Sequence, residues 1–164
     1  MNKYVLFALV FGLCACAVQK ETYQLAPHAP TDAPYALTQP KKQELDSAVA
    51  PLITKARATY PSAKQRYLAG LPRGYVFFVT IVLSDSAGRI EQIFLHVHSI
   101  SGDVITGSIA NDLLLVKGYS ANQALSVKET EIIDWTISKP DGTEEGNLIG
   151  KYVDSVNAGG TAAK

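Results

Sequence analysis

His96 and His98 lie two residues apart, and on an extended chain that spacing turns both imidazoles to one face. Two imidazoles on one face can begin a zinc or copper site if a third ligand converges on them, and Glu91, Asp134 or Glu145 could supply it. The same alternation, with Ile93, Leu95 and Val97 interleaved, is also what a strand with one wet face requires without any metal. Asp134 beside the single tryptophan, Trp135, offers a second chemistry. A carboxyl against an apolar wall can be held protonated and serve as a general acid, with Glu144 or Glu145 as the second carboxylate of a hydrolytic pair. An aspartate there equally well caps a turn, while the tryptophan fills a core or makes an exposed binding spot.

Other chemistries lack their residues. The chain contains no G-x-S-x-G elbow, and residues 103–107 lack both the phosphate-loop pattern and its lysine, so no cofactor is implied. Lysine plus arginine and aspartate plus glutamate number 15 each, with no long run of either sign. That balance leaves no footprint for nucleic acid and no polybasic patch for anionic lipid. What remains is an apolar run, Leu113-Leu114-Leu115-Val116, followed by Lys117-Gly118-Tyr119. It either plugs an open end of the fold or stays exposed as a partner surface. Leu113, Leu114, Leu115 and Tyr119, with Trp135, are the candidate binding residues.

The N-terminus points to an address. Lys3 is followed by ten uncharged residues, 4–13, the pattern of a secretory leader and too short for a permanent membrane span. Leu13-Cys14-Ala15-Cys16 resembles a lipobox, with leucine three places and a small residue one place before the cysteine to be acylated. Cleavage before Cys16 removes Cys14, leaving the mature chain one cysteine, consumed by lipid rather than by a disulfide. Ala17 follows where an aspartate would favour inner-membrane retention, so the expected address is the outer membrane, facing the periplasm. Residues 16–40 read as a lipidated, proline-rich tether, with Pro27, Pro30, Pro34 and Pro40 extending it. Tyr23, Leu25, Tyr35 and Leu37 are apolar residues within it that could dock back onto the domain.

The elements that must position the candidate residues follow from periodicity. Leu45, Val49, Leu52, Ile53, Ala56 and Tyr60 form a helical stripe within residues 41–71, and Pro51 and Pro61 predict several short helices rather than one rod. Residues 75–83 (YVFFVTIVL) have the composition of a central strand covered on both faces. Residues 89–100 and 104–110 continue as an antiparallel meander through two short turns. Short strands are expected at 124–128 and 132–138, a turn at 139–142, and a disordered tail at 158–164. The expected architecture is one α+β domain over 41–157: a small curved antiparallel sheet of about five strands, conceivable as a partial barrel, with N-terminal helices on one face.

Residues 91–97 (EQIFLHV), 102–111 (GDVITGSIAN), 132–135 (IIDW) and 141–147 (DGTEEGN) together resemble segments of the YegJ-like family of bacterial proteins, in order and in spacing. The likeness covers residues 52–153 or so, and departs at Leu113, where the family tends to carry proline, and at Asn122-Gln123, where it tends to carry Gly-Asp. It implies a fold and no particular activity. The expectation for function is therefore a membrane-anchored, non-catalytic binding module, of which an immunity lipoprotein that neutralises a toxin is one concrete form. The rival expectations are an envelope hydrolase using Asp134 with Glu144 or Glu145, and a metal-handling protein using His96 and His98.

Overall fold

A computed structural model describes residues 39–160, with side chains from 44 to 157. The expected leader, Cys16, the expected tether up to residue 38 and the last four residues lie outside this range. A 30-residue helix α1 (Gln39–Leu68) precedes β1 (Val76–Ser84), β2 (Ile90–Ser101), β3 (Val104–Ile109) and β4 (Ala124–Lys128). A 3-10 turn (Glu129–Glu131) leads to β5 (Asp134–Ser138), β6 (Glu144–Gly146) and a second helix α2 (Leu148–Gly160). All strand pairs are antiparallel, in the order β4-β3-β2-β1-β5-β6, and the sheet is open rather than closed into a barrel. The fold is α+β, with six strands where the sequence predicts five.

Register places alternate side chains of neighbouring strands on one face. Phe77, Val79 and Ile81 of β1 stand beside Leu95 and Ile93 of β2 and beside Ile137 and Trp135 of β5. This face carries the main core, into which α1 delivers Ala56, Tyr60 and Ala63. Trp135 joins the two layers, its Nε1 donating to Ala56 O at 3.2 Å and to Thr59 Oγ1 at 3.0 Å. The first half of α1 serves a second cluster, where Val49, Leu45, Leu52 and Ile53 meet Ile133, Ile149, Tyr152 and Val153. One helix therefore packs on the sheet with its second half and on α2 with its first.

Three expectations are corrected. The prolines do not break α1, because Pro51 and Pro61 are both exposed and lie off the apolar stripe. Each removes one amide, but the carbonyls four residues earlier belong to exposed Ser47 and Arg57, where water can replace it. Pro40 sits in the first turn, where no intrahelical amide is needed. Past the turn expected at 139–142 comes an edge strand, β6, which the sequence did not predict. Residues 148–160 form α2, so the expected disordered tail begins with helical backbone at 158–160.

Candidate functional site

Glu91 is the residue around which the candidate surface is built. It lies on the core side of β2, in line with Ile93 and Leu95, and is 8 % exposed. A carboxylate there requires compensation, and the 110–123 loop supplies it. Leu114 N donates to Oε1 at 2.9 Å, while Leu115 N and Val116 N donate to Oε2 at 2.8 and 3.1 Å. Burial pushes the Glu91 carboxyl up, but the three amides and the nearby Lys117 charge pull it further down, to below its ordinary value. It is therefore an anion at neutral pH, held by backbone dipoles.

Asp85 extends the clamp by one residue. Its Oδ2 accepts Lys117 N at 2.9 Å and Arg89 Nε at 2.7 Å, and its Oδ1 accepts Ala87 N and Arg89 N. The Arg89 guanidinium, then the three amides, hold this carboxyl well below the usual range against the opposing effect of burial. Asn111 fixes the start of the loop, its Oδ1 accepting Phe94 N at 2.8 Å. Consecutive amides 114–117 are thus all spoken for by two side chains of the β1–β2 hairpin.

This clamp sorts the apolar run. Val116 is 2 % exposed, and Leu113 and Tyr119 pack against the main core, the Tyr119 hydroxyl reaching Ser84 O. Leu114 and Leu115 point outward, 52 % and 46 % exposed. Ile90 and Val82, diagonal neighbours across the β1–β2 pair, are also exposed, but on the opposite sheet face from Glu91. Of the five candidate binding residues, then, two form a surface. Leu113, Tyr119 and Trp135 belong to the core.

The hydrolytic constellation is not assembled. Asp134 is fully buried, and both oxygens accept backbone amides, Oδ1 from Trp135 and Oδ2 from Ile149, each at 2.8 Å. It caps the start of α2. Burial pushes its carboxyl up, the amides and the Lys151 charge oppose this, and the balance lies above the ordinary value. Glu145 stands opposite Ile137 on the other sheet face, paired with Arg66 and Lys139, which hold its carboxyl down to about 2. Glu144 shares a face with Asp134 but pairs at Ser138, four residues along β5, and binds the Asn147 side chain. At ~3.3 Å per residue that is roughly 13 Å, too far for a shared proton or water.

His96 and His98 do share a face, their rings edge to face at 5.0 Å, and His98 Nε2 lies 3.2 Å from Ser108 Oγ. The candidate third ligands go elsewhere: Glu91 points to the opposite face, Asp134 caps α2, and Glu145 is ion-paired. Among the described residues no group of three or more metal-binding side chains converges.

Sequence reasoning missed Asp85 and cast Glu91 as a metal ligand. The available signal was position: Glu91 falls in phase with Ile93, Leu95 and Val97, so it had to be buried with its charge compensated. No family model, curated protein or solved structure matches the chain, so the functional reading rests on this geometry.

Proposed function

We propose that the chain is an outer-membrane lipoprotein, anchored through Cys16, whose YegJ-like domain binds a protein partner in the envelope without catalysis. The observation that carries this reading is the exposure of Leu114 and Leu115 on a backbone held by four carboxylate–amide hydrogen bonds. An apolar surface on a fixed backbone loses little freedom on binding, which favours recognition. Two adjacent exposed leucines suit the apolar centre of a protein interface, with Asp112 and Lys117 as its polar rim. An immunity-type role, neutralising a toxin that reaches the periplasm, is one form this binding takes.

The test is cross-linking in living cells with tagged protein, followed by mass spectrometry of the envelope fraction. One stoichiometric partner is expected, lost in Leu114→Glu while the melting temperature stays within a few degrees. In parallel, Cys16→Ala should move the protein out of the membrane fraction. A partner retained by Leu114→Glu, or none enriched, would sink the binding reading; membrane retention of Cys16→Ala would sink the anchor.

A further inference from the structure

The two edges of the sheet are finished differently. At β6, Lys139 N donates to Thr143 O and Asn147 N to Trp135 O. Glu145, in step with these bonds, faces β5, and Glu144 and Gly146 turn their backbone groups outward. Lys151 Nζ, reaching back from α2, takes both outward carbonyls, Glu144 O at 2.9 Å and Gly146 O at 2.8 Å. At β4 the flanking bonds run from Ile109 N to Gln123 O at 3.0 Å and from Glu129 N to Asp103 O at 2.8 Å. Leu125 and Val127 fall in step with them, which leaves Ala124, Ser126 and Lys128 facing away from β3. Glu131 Oε1 accepts the Lys128 amide at 2.7 Å. Among the described residues, nothing bonds the outward N–H and C=O of Ala124 and Ser126, and both residues are exposed. An edge strand that is neither capped, bulged nor interrupted by proline is a template for another strand.

We propose that a second copy of this chain adds to β4, antiparallel and about a two-fold axis passing between the two Leu125 residues, so that the two sheets become one. The open groups are two donors and two acceptors, placed symmetrically about Leu125. A two-fold mate sets Ala124 of each copy against Ser126 of the other, so that every open group is bonded and none is left over. An unrelated strand needs no such symmetry, whereas a two-fold pair does. Leu125, half-buried at the margin of the main core, meets its counterpart in a non-hydrogen-bonded pair, the closer of the two kinds. Charge permits this register: Lys128 lies opposite Asn122 of the other copy, and no like charges meet across residues 122–128. The seam is short. Five residues run about 17 Å, so the buried area falls below the ~1,200 Å² of a stable complex in dilute solution, and the pair forms as copies become concentrated. Copies anchored through Cys16, on the reading given above, are confined to one surface, where their effective concentration is high.

The test is amide hydrogen exchange, read by NMR on the full chain in detergent over a roughly hundredfold range of protein concentration. Exchange at Ala124 and Ser126 is expected to slow by about fivefold or more at the concentrated end, while Leu125 and Val127, bonded to β3, stay slow throughout. In a mixture of isotope-labelled and unlabelled chains, a filtered contact between the Leu125 side chains of two copies is expected as well. Ser126→Pro removes an outward donor and sets its ring on the docking line, at the cost of the Thr106–Ser126 hydroxyl contact but of no backbone bond to β3. It should abolish both signals. The wild-type series stands without it, so a variant that fails to fold leaves the question decided. Fast exchange at both residues at every concentration, protection unchanged by dilution, protection that follows a co-purified protein, or copies that associate without the Leu125 contact would each overturn the proposal. Leu114→Glu should pair as the wild type does, so failure of the leucine surface is read separately.

Discussion

At Glu91, burial and hydrogen bonding act in opposite directions, and hydrogen bonding wins because three amides converge on one carboxylate. Glutamine offers one acceptor oxygen and would turn its NH₂ toward at least one of those amides. Glu91→Gln is therefore expected to cost about 1–3 kcal/mol of stability in denaturant titration. A carboxyl held below its ordinary value contributes stability that is complete above that value and lost as pH falls through the folded-state value. The wild type should accordingly lose more stability than Glu91→Gln between pH 6 and pH 3; equal slopes would contradict the clamp. Thr136 presents the opposite case: it is 2 % exposed, and its Oγ1 has no hydrogen-bond partner among the described residues. Valine keeps the shape and the β-branch while removing the stranded hydroxyl. Thr136→Val should raise stability by about 1 kcal/mol, and a loss would show that the hydroxyl is bonded in solution.

Among the elements, α2 depends most on a single side chain. β6 ends at Gly146, where φ is +72° and a Cβ would collide with Trp135 O, and Asn147 N then donates to that same carbonyl at 2.8 Å. The chain so turned brings Ile149 N to Asp134, fixing the helix start over β5. Asparagine at 134 would oppose an NH₂ to one of the two amides now satisfied, so Asp134→Asn should lower stability by about 1–3 kcal/mol. A hydrolase carboxylate predicts the reverse, an unchanged melting temperature with activity lost. Because burial raises the Asp134 carboxyl above its ordinary value, its contribution is greatest below that value and falls as pH rises through the folded one. Acid therefore does not unfold the protein through Asp134. The helical stripe of α1 and the alternation of β2 were readable as patterns of three-four and two. β6 and α2 were not, since a three-residue edge strand carries no period and α2 owes its position to Asp134.

At the scale of the whole molecule, the carboxylates displaced from their ordinary values among the described residues divide by sign. Asp85, Glu91, Asp141 and Glu145 are all held below their ordinary values, whereas Asp134 is held above. The depressed set outnumbers the raised one, so stability should be near its plateau above about pH 5 and decline as pH falls below about 4. Chemical denaturation at pH 7 and pH 3 checks this, and a flat profile would mean that these pairings do not persist in solution.

By itself the sequence determined the α+β class, the meander of β1 to β3, and the double-sided burial of β1, because side-chain period and turn chemistry are local properties. Asn122 takes a left-handed backbone at φ +64°, which asparagine tolerates better than most residues. It also identified the 113–116 run as the surface to examine, though not which leucines face water. Only the tertiary structure decided that β5 returns to pair with β1, that Glu91 and Asp85 pin the loop, and that Asp134 is separated from Glu144 and Glu145. The physical reason is common to all three: a buried charge or an unpaired strand edge needs a partner, but only folding determines which distant backbone amide or edge strand provides it.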